Sequence, residues 1–133
     1  MVTPSIPRFA FAGLILLAGL VLGSQALASD LSNKFRLECS GGADSDGVVT
    51  IVVTPDGGEP IETLTEVKKG TSENHVAKAI VEALKAQLPK DQFHIERDDG
   101  EDVLVKRHLG EARFRLAVTS LTVEGVRIKV KKE

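Results

Sequence analysis

Three histidines are the first residues whose chemistry could define a site, because imidazole binds metals and transfers protons near neutral pH. His75, His94 and His108 lie far apart in the chain. They form no His-Glu-x-x-His, no short His-x-His and no cysteine-containing zinc motif. We therefore expect three independent surface histidines, no metal site and no cofactor.

Two acidic segments contain oxygen ligands of the kind that calcium prefers. Residues 98–102 include four carboxylates, and residues 44–47 resemble the middle of an EF-hand loop. In that alignment Gly42 stands at the first-ligand position and Val53 at the bidentate-glutamate position, so the motif fails. Because Asp and Gly are also favoured in turns for backbone reasons, we expect both segments to be solvated loops.

Cys39 is the only cysteine, so an intramolecular disulfide is excluded. Phe35, Leu37 and Cys39 alternate with charged residues, which predicts a buried, unreactive thiol on the apolar face of a strand. An intermolecular disulfide is the next interpretation, followed by a metal or catalytic role. The chain has no Gly-x-Ser-x-Gly elbow, dinucleotide fingerprint or P-loop, so enzymatic activity is uncertain and we favour a protein without it.

Charge is distributed unevenly along the chain. Residues 29–105 contain 16 acidic and 8 basic residues, whereas residues 106–133 contain 3 acidic and 8 basic residues. The predicted anionic-partner surface, called the basic stripe below, consists of Arg113, Arg115, Arg127, Lys129 and Lys131. Such a surface can bind lipid headgroups or envelope polysaccharide, or it can balance acidic strands of the same chain, which we favour. Nucleic acid is not expected, because the chain lacks Trp and Tyr for base stacking.

The N-terminal 28 residues have the pattern of a secretory signal peptide. Arg8 precedes an apolar stretch from Phe9 to Leu22, and Ala26-Leu27-Ala28 fits the cleavage site. A helix of those 14 apolar residues spans about 21 Å, short of the roughly 30 Å hydrocarbon core. We expect cleavage before Ser29, export to the periplasm or the medium, and no permanent membrane span. Residues 29–133 are then expected to form one compact domain.

Alternating and helical hydrophobic patterns predict the elements of that domain. Strands are expected at Lys34–Cys39, Gly47–Thr54 and Ile61–Val67, forming an opening meander. A helix follows, capped by Thr71 or Ser72 and stopped by Pro89, and its apolar face consists of Val76, Ile80, Leu84 and Leu88. The helix needs a sheet to cover this face.

Two hairpins are predicted after the helix. In the first, Ile95 lies opposite Val103 and Phe93 opposite Val105, around a three-residue loop at 98–100. In the second, Val118 lies opposite Val130 around a three-residue loop at 123–125, although a two-residue loop is the alternative. Either register of the second hairpin makes the basic stripe continuous on its polar face.

The predicted fold is α+β, with the order β-β-β-α-β-β-β-β and a mostly antiparallel sheet of six to seven strands on one amphipathic helix. The predicted function is an exported, non-catalytic binding or assembly module of the cell envelope or extracellular space. Its partner would be an envelope protein or an anionic surface component, and homo-oligomerisation stays open. The alternative is a small exported hydrolase, or an enzyme inhibitor, whose site residues are dispersed.

Overall fold

The computed structural model describes residues 30–133, which form seven strands and one helix. The strands are β1 (Lys34–Ser40), β2 (Gly47–Pro55), β3 (Ile61–Val67), β4 (Phe93–Asp98), β5 (Asp102–Arg107), β6 (Phe114–Leu121) and β7 (Arg127–Lys132), and the helix is α1 (Glu73–Gln87). The predicted α+β class and element order are confirmed. The predicted signal peptide lies outside the described residues.

The strands pair in two antiparallel sheets. One sheet has four strands in the order β4-β5-β1-β7, and the other has three in the order β3-β2-β6. Antiparallel pairing agrees with the prediction, but the strands divide between two sheets. Within residues 30–133, no helix is long and apolar enough to cross a membrane.

Helix α1 packs its apolar face against strands of both sheets. Val76, Ile80 and Leu84 are fully buried, as their spacing predicts. The helix contacts β3 of the three-stranded sheet and β4, β5 and β1 of the four-stranded sheet. The predicted side-chain cap is wrong: Ser72 is the N-cap residue, but its hydroxyl lies 2.8 Å from His75 Nδ1 and makes no capping bond to the backbone.

Three phenylalanines join the sheets in the core. The ring centroid of Phe114, from β6, lies 5.2 Å from that of Phe35 on β1 and 5.1 Å from that of Phe93 on β4. Both ring pairs are tilted or edge-on, the arrangements that aromatic quadrupoles favour. Because Phe114 is fully buried, this cluster fixes how one end of the three-stranded sheet sits on the other sheet.

The β4–β5 hairpin has a register two residues away from the predicted one. Ile95 lies opposite Val105 and Asp98 opposite Asp102, so the loop is 99–101. A shift of two keeps every side chain on its face, so hydrophobic alternation does not distinguish the two registers. In the observed register both aspartates reach Arg36, at 3.0 and 2.8 Å, which favours this pairing.

The predicted final hairpin and opening meander are wrong, because each spans the two sheets. Val118 on β6 lies opposite Ile51 on β2, whereas Val130 on β7 lies opposite Leu37 on β1. The segment that connects β6 to β7 is held by the 41–46 loop, where the Asp44 N–H donates to the Glu124 carbonyl at 2.7 Å. At the start of the domain, β2 pairs with β3 but not with β1.

Candidate binding interface

The basic stripe is divided by the separation of β6 and β7. Arg113 directly precedes β6, and Arg115 lies at the beginning of that strand, in the three-stranded sheet. The other three members, Arg127, Lys129 and Lys131, lie on β7 at the edge of the four-stranded sheet. The continuous polar face predicted from a hairpin therefore does not form.

Charge pairing accounts for only part of the β7 cations. Lys131 Nζ lies 3.1 Å from Glu38 Oε2, so this cation is balanced by the neighbouring strand. Within residues 30–133, Arg127, Lys129 and Lys132 take part in no ion pair. All three are exposed. The outer side of β7 therefore carries the unpaired charges of Arg127 and Lys129, whereas Lys132 lies on the side of Ile128 and Val130.

Several other charges on this sheet belong to a network around Arg36. Its guanidinium binds the carboxylates of Glu133, Asp102 and Asp98, and Lys34 also reaches Glu133 at 3.1 Å. The hydrogen bond to Glu133, followed by those to Asp102 and Asp98, raises the pKa of Arg36 above its ordinary value. The hydrogen bonds from Arg36 and Lys34 lower the pKa of Glu133. These charges satisfy one another and form a structural network.

A groove separates β6 from β7, and we call it the open seam. Its apolar lining consists of Phe35, Leu116, Ala117, Val118, Ile128 and Val130. One end is closed where the backbones of Ser32 and Phe114 exchange hydrogen bonds of 2.9 and 3.0 Å. Asp30 and Lys132 also line the groove.

Backbone groups of both strands point into the open seam. Phe114 directs its N–H and C=O towards Ser32, so Leu116, two residues later, also directs its own away from β2. On the other side, the Glu133 N–H donates to the Lys34 carbonyl of β1 at 2.9 Å. Because backbone directions alternate along a strand, the N–H and C=O groups of Lys129 and Lys131 also point towards β1, whereas those of Ile128 and Val130 point towards the seam. Within residues 30–133, no strand pairs with these two edges.

Incomplete burial of apolar side chains is concentrated along the same two strands. Five partly buried apolar residues pack against the described core, and four of them lie on β6 or β7: Val118, Leu121, Ile128 and Val130. Burial of this partly exposed apolar surface by a partner would be favourable, because it would remove the surface from water. The open seam thus combines unpaired backbone with incompletely buried side chains.

At the opposite junction of the two sheets, helix α1 lies between the sheet edges and contacts β3 and β4. We call this junction, formed by β3, α1 and β4, the closed seam. The Gln87 side-chain amide accepts from the Leu64 N–H at 2.9 Å and donates to the Leu64 carbonyl at 2.8 Å. On β4, Arg97 donates to the Asn74 carbonyl of the helix at 3.2 Å. Gln87 thus occupies the backbone groups of Leu64 that an added strand would use.

Two of the three histidines come together, contrary to the expectation that all three are independent. The ring centroids of His94 and His108 are 6.3 Å apart, and both rings line a hollow beside the end of α1. Their Nε2 atoms are engaged, His94 with Glu96 and His108 with the Lys90 carbonyl, each at 2.9 Å. The hydrogen bond from His94 lowers the pKa of Glu96.

Charged side chains also line this histidine hollow, namely Glu82, Lys85 and Lys90. No hydroxyl or thiol lines it. Among residues 30–133, no three His, Cys, Asp or Glu side chains are grouped so that they could hold a metal. His75 lies elsewhere, at the start of the helix.

Cys39 is buried on the inner face of β1, as its alternation predicts. Burial, together with the nearby carboxylates of Asp102, Glu73 and Glu101, raises its pKa to about 12. The thiol is therefore neutral at physiological pH, and a neutral thiol is a poor nucleophile and metal ligand.

The two acidic segments have structural partners. Asp98 and Asp102 bind Arg36, and Asp46 Oδ1 accepts from the Lys69 N–H at 2.7 Å. Asp99 and Gly100 adopt positive φ angles of 52° and 79° in the β4–β5 loop, the conformation for which turns select Asp and Gly. The expectation of a solvated loop therefore holds for 99–101, whereas Asp98 and Asp102 are strand residues paired with Arg36.

The residues of the open seam were not among the candidates from the sequence. Leu116, Val118, Ile128 and Val130 alternate as core residues do, and nothing in that alternation distinguishes an edge from an interior strand. Neither a protein-family model nor a curated protein matches this chain.

Proposed function

We propose that this chain is an exported, non-catalytic binding or assembly module that accepts an extended segment of a partner protein at the open seam. The observation that carries the proposal is the side-by-side placement, over an apolar groove, of two strand edges that no strand of residues 30–133 pairs with. An exposed edge is a template for pairing with another chain. Export enters the proposal from the N-terminal sequence pattern.

Strand addition would pair the free backbone groups of the open seam and cover its partly buried side chains. A strand that pairs with the edge of β7 would accept and donate hydrogen bonds at Ile128 and Val130. Its alternate side chains would enter the groove and cover Val118 together with these two residues. Main-chain bonds would then supply affinity, while the groove would select the side chains that enter it.

Site-specific photocrosslinking in cells that express the full chain tests this proposal. A photoreactive residue at exposed Thr119, on β6, should form adducts with a partner protein. The same residue at Lys78, on the exposed face of α1, should not. Sequencing of the adduct should identify one extended segment of the partner. Equal adducts from both positions would contradict the proposal.

A charged substitution in the groove provides the loss-of-function counterpart of the crosslinking experiment. Val118→Lys should abolish the adducts at Thr119, because a lysine that points into an apolar groove opposes strand pairing. Leu64→Lys is the control, since Leu64 is an exposed apolar residue on the closed-seam strand β3. If both variants fold and both keep the adducts, the open seam is not the interface.

The second candidate is the small hydrolase, which the pairing of His94 and His108 favours. Since no hydroxyl or thiol lines the hollow, we expect these imidazoles to activate water. Purified protein should then hydrolyse a member of an ester and peptide panel, and His94→Asn should abolish this activity while His75→Asn preserves it. Absence of turnover, or equal activity in both variants, would eliminate this candidate.

A further inference from the structure

We infer that the segment accepted by the open seam is an acidic strand, in which apolar residues alternate with Asp or Glu. This inference rests on the proposed function and names the chemistry of the partner. It follows from the different surroundings that the two faces of an added strand would meet.

The inner face of the added strand would be apolar. Side chains of a strand point alternately to its two faces, so every second residue of the segment would enter the groove. There it would meet Leu116, Val118, Ile128 and Val130. Burial of a charged residue at these positions would be costly, whereas Val, Ile or Leu would complete the core.

The outer face of the added strand would lie beside the cations of β7. Arg127, Lys129 and Lys131 occupy alternate positions of that strand and point away from the core. Residues directly opposite on antiparallel strands have Cβ atoms about 4.5–5.5 Å apart, close enough for ion pairing. Asp or Glu at every second position would therefore meet these cations.

The carboxylates of Glu38, Glu101 and Asp102 line one depression with Arg127 and Lys129, but none of the described carboxylates forms an ion pair with these two cations. Glu38, one strand away, pairs with Lys131, and Asp102 pairs with Arg36. Asp30 lines the groove, but it lies in the segment leading to Ser32, which bridges the closed end of the seam. Arg127 and Lys129 lie at the opposite end of β7, where negative side chains of a partner would be favoured.

The same charges oppose a second copy of this chain as the occupant. Pairing of β7 with β7 of another copy would place Arg and Lys opposite Arg and Lys, and like charges directly opposite destabilise a sheet. The acidic alternating strand of the chain, β3, is already part of a sheet, and Gln87 occupies the free edge of its Leu64. A different protein is therefore the partner that the charges fit.

Three labelled peptides test the inference by fluorescence anisotropy with the exported protein. The acidic peptide is Thr-Val-Glu-Val-Glu-Val-Glu-Thr, the second has Gln in place of every Glu, and the third is the acidic peptide with backbone N-methylation at alternate residues. We expect the acidic peptide to bind about tenfold more tightly than the Gln peptide. This difference should shrink as salt rises, because exposed charges are screened. The N-methylated peptide should not bind, since it lacks edge hydrogen bonds.

A matched pair of variants locates the charge effect. Arg127→Gln with Lys129→Gln should reduce binding of the acidic peptide to the level of the Gln peptide. Lys68→Gln with Lys69→Gln removes the same charge from exposed residues after β3 and should leave binding unchanged. An equal loss in both double variants would mean that net charge, rather than this edge, governs binding.

The outcomes separate the inference from the proposed function. Equal affinity for the acidic and Gln peptides would overturn the acidic specificity and leave strand addition supported. Equal binding of the N-methylated peptide would overturn strand addition itself. If no peptide binds while vesicles containing anionic lipid bind through Arg127 and Lys129, both are overturned and the cations of β7 bind a lipid surface.

Discussion

At the closed seam a helix fills the space between two sheet edges, whereas at the open seam the corresponding space is a groove. Leu84 and Ile80 are completely buried beneath the closed seam, and Gln87 holds the free backbone groups of Leu64. At the open seam Ile128 and Val130 are only partly buried, and their edge pairs with no described strand. At the closed seam the chain's own helix covers the apolar side chains, whereas at the open seam no described element covers them.

The difference shows two ways in which a sheet edge avoids indiscriminate pairing. A covering helix removes an edge from solvent, and cations along an edge discourage pairing with identical chains. Only an edge that is protected by cations stays accessible to a strand of another protein. The cations that repel a second copy at the open seam would attract an acidic strand, so protection and selectivity would come from the same residues.

The largest expected effect is at the closed seam. Leu84→Ala should lower the free energy of unfolding by about 2–5 kcal/mol, because it leaves a cavity beneath the helix. Lys85→Ala, at the next and exposed position, should change stability by less than about 0.5 kcal/mol. Denaturant titration of both variants checks this contrast, and equal losses would contradict the assigned helix face.

An intermediate effect is expected at the open seam. Ile128→Ala should cost about 1–2 kcal/mol, less than Leu84→Ala, because solvent already reaches part of the isoleucine side chain. Thermal and denaturant unfolding of the two variants measure the difference. A cost equal to that of Leu84→Ala would show that the two seams are equally well packed.

Removal of the side chain that caps β3 should have a smaller effect on stability. Gln87→Ala breaks two hydrogen bonds to Leu64 on a solvent-exposed edge, with an expected cost of about 0.5–1.5 kcal/mol. It should also increase self-association, measured by sedimentation velocity, because it frees backbone groups for pairing. Glu82→Ala on the same helix is the control. A Gln87→Ala chain that stays fully monomeric would mean that the helix alone protects the edge.

The smallest expected effect concerns pH. The pKa of Glu133 is lowered by hydrogen bonds from Arg36 and then Lys34, so its contribution to stability is complete above the ordinary glutamate pKa. That contribution is lost as pH falls through the lowered folded-state pKa. Glu133→Gln should therefore flatten the acid side of a plot of melting temperature against pH and change little near neutrality. Superimposable acid-side curves would contradict this role of Glu133.

Local patterns predicted much of the fold correctly. The i, i+4 spacing of Val76, Ile80 and Leu84 identified the buried helix face, and alternation around Cys39 identified a half-buried strand. Both inferences depend on side-chain directions within one element, which the local backbone determines. They are therefore accessible before any tertiary contact is known.

Strand partners were decided by the tertiary structure. A register shift of two leaves Ile95 and Val105 on the same face, so only the contacts of Asp98 and Asp102 with Arg36 distinguish the β4–β5 pairing. Alternation in β6 and β7 is satisfied equally by one hairpin and by two sheets that face each other. The packing of Phe114 between Phe35 and Phe93 favours the second arrangement.

The sequence by itself determined the elements, the helix face, the buried thiol and the positive charge of the C-terminal residues. Only the tertiary structure decided that β6 and β7 lie in separate sheets, which divides the basic stripe and leaves a groove between two edges. The physical reason is the range of the interactions. Periodicity records which side of a strand is buried, whereas an edge exists only because no other strand, however distant in sequence, occupies the place beside it.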